Sequence, residues 1–165
     1  MSLALPRYAM HALAAASLTV TASFGPPHIT VRPVTNQPDA PAGAVLLVES
    51  MHHTQIADLD VTGRAEGLVN GKRVTVPLRL TRQSVGHYAL TQQWQNGTPW
   101  VLVLTAEEGT NGAHGVAEAL VKVTAAGAFA SIDYPTAGWI DKSNVPKRTS
   151  AAEIDAALAS MVARR

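Results

Sequence analysis

Apolar and polar residues alternate over most of this chain in short segments, and helical spacing is rare. In residues 72–82 every second side chain is apolar, which is typical of a strand with one buried face. Pro77 lies within this segment and cannot donate a ladder hydrogen bond, which favours an edge position. Asn70-Gly71 precedes the segment, and it is a preferred two-residue hairpin turn because both residues must adopt positive φ. The pattern predicts a β-hairpin here.

Seven further segments are extended in the same way: residues 28–34, 44–49, 61–69, 87–94, 100–106, 116–124 and 128–135. Two of them, 44–49 and 100–106, are continuously apolar, as expected of strands covered on both faces. Residues 107–115 lack apolar periodicity and predict a loop. Short strands with turns between them are typical of antiparallel sandwiches and barrels, so we expect an all-β domain over residues 23–134.

The C-terminal segment, residues 150–165, has a different pattern. Ser150 and Glu153 have the spacing of a helix capping box. The apolar residues that follow form one stripe at helical spacing: Ile154, Leu158, Met161 and Val162. We therefore predict a short amphipathic helix, joined to the β domain by a linker over residues 135–149, whose apolar face covers an open end of the sandwich or a partner.

The N-terminal segment resembles a secretory signal peptide. Arg7 precedes an apolar run of about 14 residues, which is shorter than the ~20 needed to span a bilayer. Val20-Thr21-Ala22 has the small residues that a signal peptidase accepts. We expect residues 1–22 to be removed, with a buried N-terminal helix as the alternative. The Ala-, Val- and Arg-rich composition favours a bacterial source, so the protein is expected to be periplasmic or secreted.

Composition narrows the classes of function. The 13 basic and 12 acidic residues give a formal charge of +1, which argues against a nucleic-acid partner. The chain has no Cys, which excludes disulfides, thiolate metal sites and Cys nucleophiles. It also has no Gly-x-Ser-x-Gly, no His-Glu-x-x-His and no phosphate-binding glycine loop. These absences favour a protein that is not an enzyme.

His and Met are the soft metal ligands that remain, and they cluster at Met51-His52-His53. Imidazole binds copper, zinc or nickel, and a thioether suits Cu(I). A site here needs a further ligand, from His28, His87 or His114, and we take His114 in the 107–115 loop as its candidate. The alternative is a polar loop with two surface imidazoles. Among the tryptophans, Trp94 and Trp100 are expected in the core, whereas Trp139 is the better candidate for a surface ligand platform.

One stretch resembles a known family. Gly86-His87-Tyr88-Ala89-Leu90, then Trp94 and Trp100-Val101-Leu102-Val103, is similar to small exported bacterial immunoglobulin-like domains of the copper-resistance and YtkA-like periplasmic type. The resemblance covers residues 28–134 and implies an antiparallel immunoglobulin-like β-sandwich of about seven to eight strands. Copper-resistance domains of this type often bind metal through an N-terminal His. The nearest His here is His28, which Pro26 and Pro27 precede.

The leading functional hypothesis is an exported, non-enzymatic binding or accessory protein with a protein partner or self-association. Three surfaces are candidates: the loops 50–58 and 107–115, the apolar face of the C-terminal helix, and the edge segment 72–82. The alternative is a periplasmic metal-binding domain for copper or zinc, with Met51, His52, His53 and His114 as its ligands. A third possibility is an enzyme with a dispersed site.

Overall fold

The computed structural model describes residues 25–35, 37–140 and 143–163. The signal peptide predicted over residues 1–22 lies outside these ranges. The described residues form twelve strands, one short 3₁₀ helix (Thr110–Gly112) and one α-helix: β1 (Pro27–Pro33), β2 (Ala44–His52), β3 (Gln55–Ile56), β4 (Asp60–Val69), β5 (Lys72–Leu78), β6 (Leu80–Ser84), β7 (His87–Thr91), β8 (Trp100–Glu108), β9 (Gly115–Val123), β10 (Phe129–Asp133), β11 (Thr136–Ile140), β12 (Ser143–Pro146) and α1 (Ala151–Val162).

The strands form two five-stranded sheets and one hairpin, and all of their pairings are antiparallel. The first sheet has the order β1-β2-β7-β6, with β3 paired to β2, and the second has the order β10-β9-β8-β4-β5. The all-β prediction is confirmed, and each of the eight predicted segments contains a strand. The expected number of strands was too low, because β3, β11 and β12 were not predicted and one predicted strand is split.

The split strand is the segment 72–82, which passes from the second sheet to the first at Arg79. The Gln93 side chain forms hydrogen bonds with both backbone groups of Arg79. The Arg79 N–H donates to Gln93 Oε1 at 2.9 Å, and Gln93 Nε2 donates to the Arg79 carbonyl at 2.9 Å. The strand ladder is thus replaced at this residue by one amide side chain. The predicted edge position of Pro77 is confirmed, since β5 is the last strand of its sheet. The hairpin turn is confirmed as well, with φ of 52° at Asn70 and 74° at Gly71.

The two larger sheets share one hydrophobic core, which contains the inward side chains of both. Trp94 and Trp100 are buried in it, as predicted. Trp100 lies directly over Gly67 of the neighbouring strand, where an added Cβ would be 2.6 Å from Trp100 Cε3. A glycine at this position therefore makes room for the indole ring.

Helix α1 covers the outer face of the second sheet, so the expectation that it closes an open end or awaits a partner was wrong. Ile154 and Leu158 pack with Val101 and Val103 of β8, which makes β8 a strand buried on both faces, as predicted. The predicted apolar stripe was wrong at one position: Val162 is exposed, and Ala157 lies in the contact instead.

Strand β2 differs from β8 although its sequence is equally apolar. Leu46 and Val48 face the core, but the alternate residue Leu47 is only half-buried. The prediction of burial on both faces was therefore wrong for residues 44–49. No helix within the described residues has the length and apolar character needed to cross a bilayer.

The segment predicted as a linker, residues 135–149, contains the β11–β12 hairpin. Its C-terminal part contacts the second sheet through two polar interactions. Thr149 N–H donates to Glu118 Oε2 at 2.6 Å, and Arg148 Nη2 lies 2.7 Å from Glu107 Oε1. These contacts fix the point at which α1 begins.

Candidate functional site

Four of the predicted candidate histidines and one carboxylate lie at or beside one end of the two sheets. We name this region the histidine end: His28, His52, His53, Glu108 and His114. Antiparallel pairing brings the start of β1 beside the end of β2, with Pro27 opposite His52 and His28 opposite Met51. The sequence separates these segments by more than twenty residues, and the sheet register brings them together.

His52 joins the two sheets at this end. Ser50 faces the core, and alternation along β2 gives His52 the same inward direction. Its Nδ1 lies 3.0 Å from Glu108 Oε2, on β8 of the opposite sheet. Both side chains are about one-quarter exposed, at 23% and 26%. This contact joins the end of β2 to the end of β8. The sequence predicted loops over residues 50–58 and 107–115 as a binding surface, but β2 extends to His52, β3 lies within the first segment and β8 extends to Glu108, so the connecting turns are shorter than predicted.

His53 occupies the two-residue turn between β2 and β3, with a φ of 55°. The turn directs its imidazole onto the backbone of Gly25, where an added Cβ would collide with the ring. The His52 and His53 rings are in edge-to-face contact, with centroids 4.6 Å apart and an interplanar angle of 83°. Consecutive strand residues would point to opposite faces, so the turn is what brings these two rings together.

His28 is electrostatically coupled to the other two imidazoles. Burial lowers the pKa of His28 below its usual value of 6.5, and the neighbouring His53 and His52 lower it further. His28 therefore favours its neutral form. His28 and its cross-strand partner Met51 are both half-buried, on the outer face of the first sheet.

The remaining predicted residues have other neighbours. His114 donates its backbone N–H to the Glu108 carbonyl at 3.0 Å, and its ring lies against Gly109. His87 Nδ1 lies 2.8 Å from the Val85 carbonyl, and its Nε2 is 3.9 Å from Glu49. His114 thus reaches the histidine end through its backbone, whereas His87 lies further along the outer face.

No set of three or more His, Asp or Glu side chains in the described part of the chain is arranged to hold a metal ion. Met51 lies on the outer face of the first sheet, whereas His52 faces inward, so these two are not aimed at a common point. The metal set Met51, His52, His53 and His114 stays a prediction. Sequence reasoning placed Glu108 in the candidate binding loop 107–115 but did not predict its contact with His52. The alternation of β8, whose even-numbered residues face the core, was the signal that could have identified it.

Comparisons with protein-family models, with curated proteins and with solved structures found no match. The function must therefore be argued from the geometry of the histidine end and of the surfaces around it.

Proposed function

We propose that this chain is an exported, non-enzymatic binding or accessory protein of the bacterial periplasm, built on an immunoglobulin-like β-sandwich. Its binding surface is the histidine end. The observation that carries this proposal is the contact between His52 and Glu108, which joins the end of one strand from each sheet, so that the turns following these strands lie at a single surface. Loops held at one end of a rigid β scaffold are a common location for binding residues.

The other two candidate surfaces are less favourable. The apolar face of α1 already packs on Val101, Val103 and Leu120 of its own chain, so little of it is left for a partner. The edge strand β5 carries exposed Lys72, Arg73 and Pro77. Charges and proline on an edge strand oppose pairing with another chain. The loops of the histidine end are neither packed against the rest of the chain like α1 nor part of a charged edge strand like β5, so they are the favoured surface.

Site-specific photocrosslinking in bacteria tests this surface. A photoreactive amino acid at Thr54 or Asn111 labels the two loops, and one at Lys72 labels the opposite end of the sheets as a control. We expect a discrete adduct from both loop positions that excess unlabelled protein suppresses, and none from Lys72. An adduct with the mass of two copies identifies self-association. No adduct from the loops, or the same adduct from Lys72, would overturn the proposed surface.

Export is tested separately on the same material. Edman sequencing or intact mass measurement of the periplasmic or secreted protein should give a chain that begins at or near Ser23. A periplasmic fraction that lacks the protein, or a chain that retains Met1, would refute the export proposal.

The second candidate function is binding of a transition-metal ion at the histidine end. The observation that favours it is the contact between the His52 and His53 rings, whose centroids lie 4.6 Å apart, beside the Glu108 carboxylate; such donors suit copper, zinc or nickel. Because no metal-holding arrangement is preformed among the described residues, binding requires side chains of the histidine end to rearrange around the ion. The predicted ligands of the copper or zinc ion are Met51, His52, His53 and His114, and Met51 would have to turn from the outer face of the first sheet to join the others.

Thermal unfolding with Cu(II), Zn(II) or Ni(II) tests the metal candidate. An ion present at 100 times its Kd stabilises the folded state by about 2.7 kcal/mol, which is a readily measured rise in Tm. The double variant His52→Ala/His53→Ala should lose that rise, whereas His87→Ala, which removes an imidazole elsewhere, should keep it. The same rise in all three proteins would exclude the histidine end as the metal site.

A further inference from the structure

The outer face of the second sheet contains two buried carboxylates with different surroundings. Glu66 is compensated by cations: Arg64 Nε lies at 3.1 Å, Arg73 Nε at 3.2 Å, and the Thr75 hydroxyl donates at 2.7 Å. Burial alone would raise the pKa of Glu66, but these hydrogen bonds and the Arg73 charge lower it overall. Glu66 therefore stays ionised because its own sheet provides the countercharge.

Glu118 lacks such compensation. It is only 3% exposed, and its carboxylate accepts hydrogen bonds from the Thr105 hydroxyl at 3.2 Å and from Thr149 N–H at 2.6 Å. Within the residues that the structure describes, no Lys, Arg or His nitrogen lies within 4.0 Å of it. A buried carboxylate without a cation is costly unless a countercharge reaches it.

A cavity of about 490 Å³ lies beside Glu118. It forms where β9 extends beyond β10, because β10 pairs only with the Leu120–Val123 part of β9. Apolar groups line most of it, contributed by Ile29, Ala117, Pro135 and Pro146. Its volume falls within the range of small-molecule sites, which are mostly apolar with a few polar groups that set orientation.

The polar groups of the cavity favour a cation over an anion. Glu118 is the carboxylate that lines it, and Thr30 and Tyr134 add hydroxyl oxygens. His28 also lines the cavity, and the lining residues that the structure describes include no Lys or Arg. A negative charge at one wall and apolar groups at the others match an ammonium group attached to a small hydrocarbon.

We propose that this cavity binds a small organic ammonium ion, with the ammonium group directed to Glu118 and the hydrocarbon part packed on Ile29 and Ala117. The cavity adjoins the histidine end, because His28 belongs to both, but its carboxylate is Glu118 and neither His52 nor His53 lines it. The proposal goes beyond the function proposed above. The ammonium group can belong to a free amine or to a lysine side chain of a peptide, which present the same chemistry to Glu118.

Titration followed by ¹H–¹⁵N NMR tests the proposal, with benzylamine and the uncharged benzyl alcohol as matched probes at pH 7.5. Benzylamine should shift the amides of Ala117, Glu118 and Thr136 and bind at least about tenfold more tightly than the alcohol, because a charge-assisted hydrogen bond adds about one factor of ten or more. A third probe, Nα-acetyl-lysine N-methylamide, carries a free side-chain ammonium group between capped backbone groups. Comparing its affinity with that of benzylamine distinguishes a peptide lysine from a free amine as the ligand.

Two variants make the test specific. Glu118→Gln removes the charge at nearly constant volume, and it should weaken benzylamine binding at least about tenfold while leaving benzyl alcohol binding unchanged. Glu49→Gln removes a carboxylate on the outer face of the first sheet, and it should bind benzylamine as the wild type does. The histidine-end variant His52→Ala/His53→Ala should also retain benzylamine binding, so failure of one proposal is distinguishable from failure of the other.

Equal binding of benzylamine and benzyl alcohol to the wild type would overturn the proposal, as would unchanged benzylamine binding to Glu118→Gln. Amide shifts confined to His52, His53 and His114 would overturn it too. Should Glu118→Gln fail to fold, the comparison of the two probes on the wild type decides the question alone.

Discussion

Among single residues, the two tyrosine hydroxyls that bond the backbone differ in burial. Tyr88 is buried and its hydroxyl donates to the Leu59 carbonyl at 2.7 Å. Removal of the hydroxyl leaves that carbonyl without its partner in the interior, which costs about 1–3 kcal/mol. We expect Tyr88→Phe to lower the free energy of unfolding by about that amount, measured by urea denaturation.

Tyr134 provides the matched control, since its hydroxyl accepts from Val31 N–H at 3.1 Å while its side chain is half-exposed. Water can replace the lost hydroxyl there, so Tyr134→Phe should cost less than about 0.5 kcal/mol. Equal losses for both variants would show that burial does not determine the strength of these contacts.

At the residue scale, local chemistry could be predicted from sequence, and partners across the core could not. Asn70-Gly71 requires positive φ whatever surrounds it, so the turn followed from two residues. The contact between His52 and Glu108 joins residues 56 positions apart on different sheets. Its existence depends on how the sheets stack, and no local pattern near His52 contains that information.

At the scale of elements, the capping box at the start of α1 is fully formed. Glu153 N–H donates to Ser150 Oγ at 3.3 Å, and Ser150 N–H donates to Glu153 Oε2 at 2.8 Å. Loss of a serine cap costs about 1 kcal/mol. We therefore expect Ser150→Ala to lower the free energy of unfolding by about that amount, measured by thermal or urea denaturation.

Ser160 is the control within the same helix. Its hydroxyl donates to the Ala157 carbonyl near the C-terminal end of the helix, so it caps no backbone N–H group. Ser160→Ala should change stability by less than about 0.5 kcal/mol, since alanine is the better helix former. A cost for Ser160→Ala as large as that for Ser150→Ala would show that the cap is not the source of the loss.

The same cap gives α1 a defined sensitivity to acid. A hydrogen bond from Lys147, followed by those from Ser150, lowers the pKa of Glu153 from 4.5 to about 2. A carboxylate with a depressed pKa stabilises the fold above its unfolded-state pKa and loses this effect as the pH falls through its folded-state pKa. An NMR titration of the Glu153 carboxyl should give a midpoint near pH 2, and a midpoint near 4.5 would contradict the cap geometry.

Element boundaries show why part of the fold escaped sequence reasoning. The alternation of residues 72–82 continues through Arg79, so periodicity alone predicts one strand. The chain changes sheets there because Gln93, fourteen residues away, occupies the backbone groups of Arg79. Likewise, the β11–β12 hairpin has neither an Asn-Gly turn nor clean alternation, and a segment rich in Pro and Lys was interpreted as a linker.

At the scale of the whole molecule, the layers account for the composition of the strands. The second sheet lies between the first sheet and α1, so β8 is apolar on both faces, whereas β2 in the outer sheet is buried on one face only. A continuous apolar run therefore corresponds to a strand buried on both faces in β8 and to a strand buried on one face in β2. Which outcome applied depended on what packs outside the sheet, which is a property of the assembled fold.

Stability of the whole molecule should fall on acidification in two steps. His28 has a pKa lowered below 6.5, so below about pH 6.5 the unfolded chain binds its proton more readily than the folded one. Glu66 has a pKa lowered below 4.5, so the unfolded chain again binds more protons as the pH falls below about 4.5. Each group thus contributes stability that is present at higher pH and is lost as the pH falls.

Urea unfolding at pH 8.0, 6.5, 5.5, 4.5 and 3.5 separates the two steps, because the His28 step falls in the upper part of this range and the Glu66 step in the lower part. His28→Gln removes the first titrating group while keeping a polar side chain at the surface of the first sheet. This variant should match the wild type more closely at pH 5.5 than at pH 8.0, because the wild type loses the contribution of neutral His28 between these values and the variant does not. If wild type and variant fall in parallel across that range, burial of His28 beside His52 and His53 does not couple its protonation to folding.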